Sequence, residues 1–542
     1  MNAIRCTRRV FVAGSAAALV VLMIGGLHGD AMRGDYSRWN PTDKDYRGVY
    51  MQQGRVLLDS DWNEAQEIAL RLRETSLADV IGPFGAPIDE AGFGVRPMEG
   101  GSDLRITPGR MYVGGMLCEL KTAVTYRTQP NLPEPEPLVP SAGRRDLVVL
   151  DVWRRTITAV EDPELIEPAL GGVDTTTRTQ TVWQVKLMKD VGELSAEDAS
   201  LEARPSPGTG RLSTSLVAPD EQDPVLLAPT GGYTGMENRL YRIEIHEGGG
   251  AGTATFKWSR SNASTTYVIE AFRLGGAEVV LAIPTDVLLR PQPGSWVEIS
   301  GDETDLRGQP GTMARVVAVD PGSSVVRLDR AVTQHASEGH PKLIAWDHPG
   351  SGGGGGNLRV QEGAWLPLED GIAFRFTPGG TYRSGDYWLF AARAANGSVE
   401  ILEDVASRGM EHAFCPLALL DWYLDGDAWN ADVQDCRRLF YPLTELSGTE
   451  SGPPTHEEER RFFGKYRALV VDNDDPWGRG RIRALVPDIL GDGVSDWAVP
   501  CLPCAARHNE ERFIPEIEQW VWMEFEAGDP SRPIWVGCIP PG

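Results

Sequence analysis

Short apolar runs, each bounded by Gly, Pro, Asp or Asn, are what most limits how this 542-residue sequence can fold. Examples are the segments 146–155, 239–249, 254–262 and 386–401. With 61 Gly and 39 Pro, the chain has turns too closely spaced for a helical bundle but well suited to short strands. Polar and apolar residues alternate in 239–249, which predicts a strand with one wet face. The sequence therefore predicts a mainly β, multi-domain protein with sandwich-like or barrel-like sheets in its N-terminal region.

One helix is predicted near the N-terminus. Asp61 is suited to the N-cap, with Glu64 three residues later as its capping-box partner, and Gly82-Pro83 ends the run. The apolar residues at helical spacing are Trp62, Ala65, Ala69, Leu72 and Leu77. We expect this stripe to pack against the core.

The first 31 residues differ from the rest of the chain. Arg5, Arg8 and Arg9 precede an apolar run over 10–27, a pattern typical of an export signal and similar to a twin-arginine leader. The alternative is that translation starts at Met32. A leader predicts export, whereas a start at Met32 predicts assembly in the cytoplasm. No apolar run after residue 31 has the roughly 18 residues of a membrane span.

Changes in composition predict the domain boundaries. A large β region over 32–443 has candidate internal breaks at the proline-rich 130–140, the acidic 191–225 and the polyglycine 350–357. A polar, proline-bearing linker follows over 444–461. The last block, 462–542, is predicted to be a separate domain.

The charge of the chain limits its partners. Asp and Glu outnumber Lys and Arg by 77 to 52, which gives a formal charge of −25. Such a field repels phosphate backbones and anionic lipid surfaces. We therefore expect no nucleic-acid partner.

The block 462–542 contains five strand-like runs separated by turn residues, about enough to close a small barrel. In each run, successive side chains point to opposite faces of the strand, so alternate residues are predicted to face inward and outward. The residues predicted to face inward are Tyr466, Ala468, Val470, Ile482, Ala484, Val486, Val521, Met523 and Phe525. Trp520, Trp522 and Trp535 are predicted to be buried or interfacial anchors.

Three quoted stretches of this block carry a family resemblance: "YRALVVDNDDPWGRGRIRALVPDILGD", "WAVPCLPCA" and "FIPEIEQWVWMEFEAGDPSRPIWVGC". They resemble the OB-fold domain of spike-hub proteins of contractile phage tails and type VI secretion systems, known as baseplate assembly protein V or VgrG-type. The resemblance implies a five-stranded OB barrel that supports neighbouring subunits, with a trimer as the implied oligomer and other baseplate, spike or tube proteins as partners.

The same resemblance and the strand pattern together indicate structural or interface residues in this block. These candidates are Tyr466, Asp472, Asn473, Pro476, Gly480, Arg481, Pro487, Trp497, Pro500, Trp520, Trp522, Phe525, Gly528, Asp529, Pro533, Trp535 and Gly537.

Two further interpretations of this block compete with a structural one. The first is nucleic-acid binding: Arg481 and Arg483 alternate with apolar residues, so they share a face where an OB barrel could bind nucleic acid. Acidic residues outnumber basic ones over 459–542, so a structural use of these arginines is favoured.

The second is metal binding, for which four residues form a weak zinc-ligand set. They are Cys501, Cys504, His508 and Cys538.

The region from Met32 to 443 resembles a second family, an uncharacterised domain of bacterial proteins. Its marks include "YMQQGRVLLDSDWNEAQ", "GGYTGMENRLYRIEIHEGG" and "PLEDGIAFRFTPGGTYRSGDYWLFAAR". The resemblance implies an association with phage-tail-like contractile injection systems, and either particle proteins or a cargo effector as partners.

Catalytic motifs are absent from the sequence: it has no GxSxG, no HExxH and no phosphate loop. The acid pairs Glu369-Asp370 and Asp474-Asp475 are adjacent, so on strands they point to opposite faces and suit a glycosidase poorly. His246 and His412 are expected to be structural. We therefore predict a non-enzymatic particle component without a cofactor; the alternative is an exported carbohydrate-binding or glycoside-cleaving protein with an appended barrel.

Overall fold

The computed structural model describes residues 33–39, 44–171, 173–193, 195–196, 208–216, 232–282, 291–320, 322, 324–349, 356–446, 462–491, 493–501 and 514–540. The leader-like segment, most of the polyglycine and most of the predicted linker lie outside these residues. The chain divides into two compact units, with the boundary between Pro442 and Leu443.

The described residues are mostly strands, as the density of turn residues predicts. The strands up to residue 260 are β1 (Phe84–Pro87), β2 (Val95–Pro97), β3 (Leu104–Ile106), β4 (Gly109–Val113), β5 (Met116–Leu120), β6 (Val124–Thr125), β7 (Arg145–Ile157), β8 (Ile166–Glu167), β9 (Val173–Asp174), β10 (Arg178–Met188), β11 (Arg211–Leu216), β12 (Arg239–Ile245) and β13 (Thr255–Ser259). Those that complete the first unit are β14 (Thr266–Arg273), β15 (Glu278–Leu281), β16 (Trp296–Ser300), β17 (Thr312–Asp320), β18 (Val325–Leu328), β19 (Lys342–Trp346), β20 (Leu358–Arg359), β21 (Leu366–Pro367), β22 (Ile372–Phe376), β23 (Tyr387–Arg393), β24 (Ser398–Val399), β25 (Val405–Ala406), β26 (Ala413–Asp425), β27 (Ala428–Asp435) and β28 (Leu439–Phe440).

The second unit and the helices are shorter. The strands of the second unit are β29 (Tyr466–Asp472), β30 (Arg483–Leu485), β31 (Val499–Pro500), β32 (Trp520–Phe525) and β33 (Pro533–Cys538). The α-helices are α1 (Asp59–Ile81), α2 (Asp302–Leu306), α3 (Leu443–Leu446) and α4 (Pro487–Leu490). Short 3-10 turns lie at Ile88–Glu90, Glu99–Gly101, Pro163–Leu165, Pro168–Leu170, Leu274–Gly276, Thr333–His335 and Glu526–Gly528.

Three sheets surround the first core of the N-terminal unit. Their strand orders are β28-β1-β4-β5, β2-β3-β6 and β10-β7-β26-β27. The long strand β7 lies second in its sheet and has a buried run from Asp146 to Arg154, so it is central to this core. Leu150, Val185 and Leu420 are fully buried there. The proline-rich segment 130–140 contains no strand, whereas the candidate break at 191–225 contains β11.

A sandwich and a barrel complete this unit. The sheets β21-β22-β11-β25 and β20-β13-β12-β23-β24 face each other across an aromatic core that includes Tyr241, Phe376 and Phe390. The strands β14-β15-β18-β17-β16-β19 form a closed barrel filled by aliphatic side chains such as Val297 and Val326. The prediction of a mainly β chain with sandwich-like and barrel-like sheets is confirmed.

The N-terminal helix exists and ends before Gly82 as predicted, but its start and its packing face differ from the prediction. Helix α1 begins at Asp59, so Asp61 lies in the first turn and is not the N-cap. Trp62 is 60% exposed, and the buried positions are Ser60, Ile68 and Glu74. The predicted Trp and Leu stripe is therefore not a core face. No helix among the described residues is long and apolar enough to cross a membrane.

The prediction of one wet face for the strand at 239–249 is also wrong. Strand β12 is buried from Leu240 to Ile245, and the polar side chains of Arg242 and Glu244 are buried with the rest. The alternation identifies two faces correctly, but both are covered. The polar face enters a cluster of buried charges.

Candidate functional sites

The C-terminal unit is a small barrel. Its strand order is β30-β29-β32-β33-β31. The two ends of this sheet are joined because Ile482 donates a backbone hydrogen bond to Ala498 at 3.2 Å and accepts one from it at 2.8 Å. The interior holds the residues predicted to face inward, among them Val521 and Met523, both fully buried. Tyr466, at the end of the barrel, is only partly buried.

A turn with a central carboxylate connects β29 to β30. Asp475 accepts hydrogen bonds from the backbone N–H groups of Trp477 at 3.0 Å and Arg479 at 2.7 Å, and from the guanidinium of Arg481 at 2.7 Å. The hydrogen bond from Arg481 holds the pKa of Asp475 well below its ordinary value. The guanidinium also lies 4.2 Å from the Trp477 ring centre and 5.5 Å from that of Trp497. Arg481 is thus engaged within the turn.

The second arginine of the predicted basic face is engaged as well. Arg483 donates from Nε to the backbone oxygen of Ser495 at 3.2 Å. This contact ties β30 to the segment that precedes β31. Arg481 therefore stabilises the turn, and Arg483 helps to close the barrel. These are the structural roles that the excess of acidic over basic residues in this block favours.

The predicted interface residues divide by exposure. The buried ones are Gly480, Phe525, Gly528, Pro533 and Trp535. The partly buried ones are Tyr466, Asp472, Asn473, Arg481, Trp497, Pro500, Trp522, Asp529 and Gly537. The exposed ones are Pro476, Pro487 and Trp520. Trp535 is an interior residue, since its indole Nε1 donates to the backbone oxygen of the equally buried Gly480 at 3.2 Å.

One side of this barrel presents apolar side chains to solvent. We call it the outer face and define it by Arg467, Leu469, Trp520 and Trp522. Leu469 pairs with Trp520, and Arg467 pairs with Trp522 across β29 and β32. Trp520 is 44% exposed, and the guanidinium of Arg467 lies 5.8 Å from the Trp522 ring centre. Two neighbouring indoles on a sheet surface are suited to a protein interface.

The predicted weak zinc set is only partly within the described residues. Cys501 is exposed and Cys538 is partly buried, both as free thiols, whereas Cys504 and His508 lie outside the described residues. In the part of the chain that the structure describes, no three His, Cys, Asp or Glu residues are grouped as metal ligands. The expectation from the sequence is no metal site, with these four residues as weak candidates only, and it stays untested.

A cluster of buried charges lies between the sandwich and the six-stranded barrel. Lys257 on β13 donates to Glu298 on β16 at 2.6 Å and lies 3.2 Å from Glu244 on β12. Glu244 also accepts from Arg242 at 2.5 Å and from Arg33 at 2.8 Å. We call these five residues the buried ion cluster. It joins two sheets that share no strand.

The neighbouring cations determine the pKa values of the two carboxylates in this cluster. Burial alone would raise the pKa of Glu298, but Lys257 and the other nearby cations outweigh it and lower the pKa to about 2. Burial would likewise raise the pKa of Glu244, and Arg33, Arg242 and Lys257 lower it well below its ordinary value. Both carboxylates of the cluster are therefore ionised at neutral pH. A cavity of about 160 Å³ adjoins them.

The histidines singled out in the sequence have hydrogen-bonding partners. His246 Nδ1 lies 3.3 Å from Lys257 Nζ, and burial together with the Lys257 charge lowers its pKa to about 4. His412 Nδ1 lies 2.7 Å from the buried carboxylate of Asp151. Both positions fit the expected structural role.

The acid pair Glu369-Asp370 also proves to be engaged. Glu369 accepts from Tyr241 at 2.9 Å and from Arg260 at 2.7 Å, and burial raises its pKa. Its carboxylate thus links the sandwich core to the surface. Asp370 has a positive φ of 48° and lies in the turn before β22.

A hydroxyl–imidazole–carboxylate chain was not predicted from the sequence. Thr312 Oγ1 lies 2.8 Å from His335 Nε2, and His335 Nδ1 lies 2.8 Å from Glu338 Oε1. Nucleophilic catalytic triads have the same sequence of a hydroxyl, an imidazole and a carboxylate. However, His335 is buried, and Gln334 Nε2 already donates to Thr312 Oγ1 at 2.6 Å, while Thr304 donates to Glu338 at 2.7 Å. These contacts fasten β17 to the α2 region and the adjacent turn.

Comparison with known families agrees with both sequence resemblances. A family model described as a family of unknown function, DUF6519, matches residues 32–204 and 195–423, which together are more than half of the chain. A model described as the type VI secretion system/phage-baseplate injector OB domain matches residues 466–539. A search of curated proteins finds no match.

Proposed function

Because the chain belongs to the DUF6519 family of unknown function and carries a baseplate-type OB domain, we propose that it is a non-enzymatic structural component of a contractile, phage-tail-like injection particle. The OB domain indicates a structural role of the baseplate or spike type. The finer part of the proposal is that the barrel is a packing platform within such a particle. Other baseplate, spike or tube proteins are its partners.

The observation that carries the proposal is the combination of a filled barrel with an apolar outer face. Val521 and Met523 fill the interior. Arg481 is held by Asp475 and Arg483 donates to the backbone oxygen of Ser495, so both arginines of the predicted basic face make internal contacts. The outer face instead offers Trp520 and Trp522, aromatic groups suited to a protein partner.

The test is reconstitution with sheath, tube and baseplate proteins from the same gene cluster. We expect the purified full chain to co-sediment with assembled baseplates, and Trp520→Glu to reduce its recovery at least tenfold. Phe463→Glu is the matched control, since Phe463 is exposed on the same unit but is not part of the outer face. Absence of co-sedimentation by the unmodified chain would refute the particle role.

A further inference from the structure

The segment that precedes α1 exposes an unusual density of apolar side chains. We call residues 44–58 the N-terminal arm. It pairs with no strand among the described residues, and all of its own residues are exposed except the partly buried Val49. Tyr50 is 93% exposed and Val56 is 80% exposed. The other exposed large apolar residues of the arm are Tyr46, Met51, Leu57 and Leu58. Soluble proteins seldom leave such a surface uncovered.

The charge of the arm indicates what covers it. Lys44, Arg47 and Arg55 stand against the single acid Asp45, so the arm is basic within a chain of formal charge −25. A basic, extended and apolar segment is complementary to an acidic surface that also offers apolar contacts.

This chain has such a surface at the edge of one of its sheets. Strand β27 is the last strand of the order β10-β7-β26-β27, and no strand among the described residues pairs with its outer side. We call residues 424–434 the acidic edge; they comprise the end of β26, the turn that follows it and most of β27. It contains Asp425, Asp427 and Asp432 without a Lys or Arg. Leu424 and Val433 are exposed beside them.

The acids of this edge select a partner. An unpaired edge offers backbone N–H and C=O groups to an added strand. Like charges repel a second acidic edge, which prevents edge-to-edge pairing of two copies. The same charges attract a basic strand. Apart from a turn at 53–54, the arm has no regular secondary structure after residue 44. It combines exposed apolar residues with a net positive charge, so among the described residues it is a segment that fits the acidic edge.

We propose that the N-terminal arm of one copy docks as an added strand on the acidic edge of a second copy. Within one chain the arm contacts α1, where Arg71 donates to the backbone oxygen of Tyr46 at 3.2 Å. In the part of the chain that the structure describes, the acidic edge has no added strand. Fifteen residues extend at most about 50 Å, enough to cross an interface. Each copy supplies one arm and one edge, so two copies satisfy each other. This inference does not depend on the proposed function.

The test is sedimentation of the purified full chain over a range of concentrations. We expect association above the mass of a single 59.2 kDa chain. Reversing the arm charges with Arg47→Glu and Arg55→Glu should weaken association at least tenfold, and so should Asp427→Lys with Asp432→Lys. Combining all four substitutions should restore association, because the complementary charges have exchanged sides.

Matched controls make the same charge changes elsewhere. Lys121→Glu and Asp89→Lys alter exposed residues outside the arm and the acidic edge, so they should leave association unchanged. Circular dichroism confirms that each variant is folded. A chain that stays monomeric at every concentration refutes the proposal. So does association that survives the arm reversals, or that the fourfold exchange fails to restore.

Discussion

Replacing Lys257 with methionine tests the role of the buried ion cluster. Methionine keeps most of the volume of the lysine stem and removes only the charge. The side chain of Lys257 is almost completely buried, and its ammonium contacts both Glu244 and Glu298. The substitution leaves Glu298 buried without its closest cation, so the folded state must retain an uncompensated charge or bind a proton.

The size of the effect follows from the cost of leaving a buried charge without its partner. Breaking a buried ion pair by removing one partner costs about 3–5 kcal/mol. The lowered pKa of Glu298 has the matching sign, because Lys257 and the other nearby cations stabilise its ionised form in the folded state. The midpoint of thermal unfolding of the N-terminal unit should therefore fall by several degrees, at roughly 2 °C per kcal/mol for a large domain.

The dependence on pH gives a second readout. A carboxylate whose pKa is lowered in the folded state contributes stability above its unfolded pKa and loses it as pH falls through the folded value. The stabilisation by Glu298 is therefore complete above about pH 4.5 and declines toward pH 2. In Lys257→Met the pKa of Glu298 is higher because its closest cation is gone. The difference from the unmodified protein should therefore be largest at neutral pH and should shrink as the pH falls and Glu298 of the variant binds a proton.

A double-mutant cycle checks the assignment. Glu298→Gln added to Lys257→Met removes the stranded charge, and the double variant should be more stable than the sum of the single effects predicts. Calorimetry of the four proteins measures this. The reasoning is refuted if Lys257→Met unfolds at the same temperature as the unmodified protein, or if the two substitutions are additive.

Three further results are expected. Trp535→Ala should cost about 3–5 kcal/mol because it empties part of the barrel core, whereas Trp520→Ala should change stability by less than about 0.5 kcal/mol; chemical unfolding of the second unit compares them. Asp475→Asn should release the turn that its carboxylate organises, seen as faster amide hydrogen exchange at Trp477 and Arg479, whose N–H groups the carboxylate accepts from. His246→Gln should flatten the stability profile between pH 6.5 and about 4, because the lowered histidine pKa makes the unmodified protein lose stability as pH falls through that window.

The sequence was sufficient to predict the second unit because its alternation is regular. Ala484, Val521 and Met523 are at inward positions of short strands between strong turn signals, and all three are buried. Period-two patterns determine which residues share a face. The family resemblance implies the five-stranded barrel that the pattern alone does not fix. Trp535 shows the remaining ambiguity, because only the structure places it inside the barrel.

The alternation of polar and apolar residues does not predict burial where a strand face packs against residues that lie far away in sequence. The alternation in β12 predicts that Arg242 and Glu244 face solvent. Instead, Lys257 from β13 and Arg33 from the N-terminal segment pair with Glu244, and Lys257 also contacts Glu298 on β16. A buried charge is recognisable only when its counter-charge is known. The opposite charges two residues apart on one strand were the available signal.

Helix α1 shows the reverse error, and the two errors together bear on function. Its Trp62 was assigned to the core because apolar residues recur at helical spacing, yet it is exposed, next to the exposed N-terminal arm. Periodicity cannot distinguish a face that packs within its own chain from one that packs on another molecule. In a protein that assembles with others, both kinds of face carry the same apolar residues. Apolar residues left exposed on a chain whose buried charges are paired are therefore the residues to substitute first when assembly is measured.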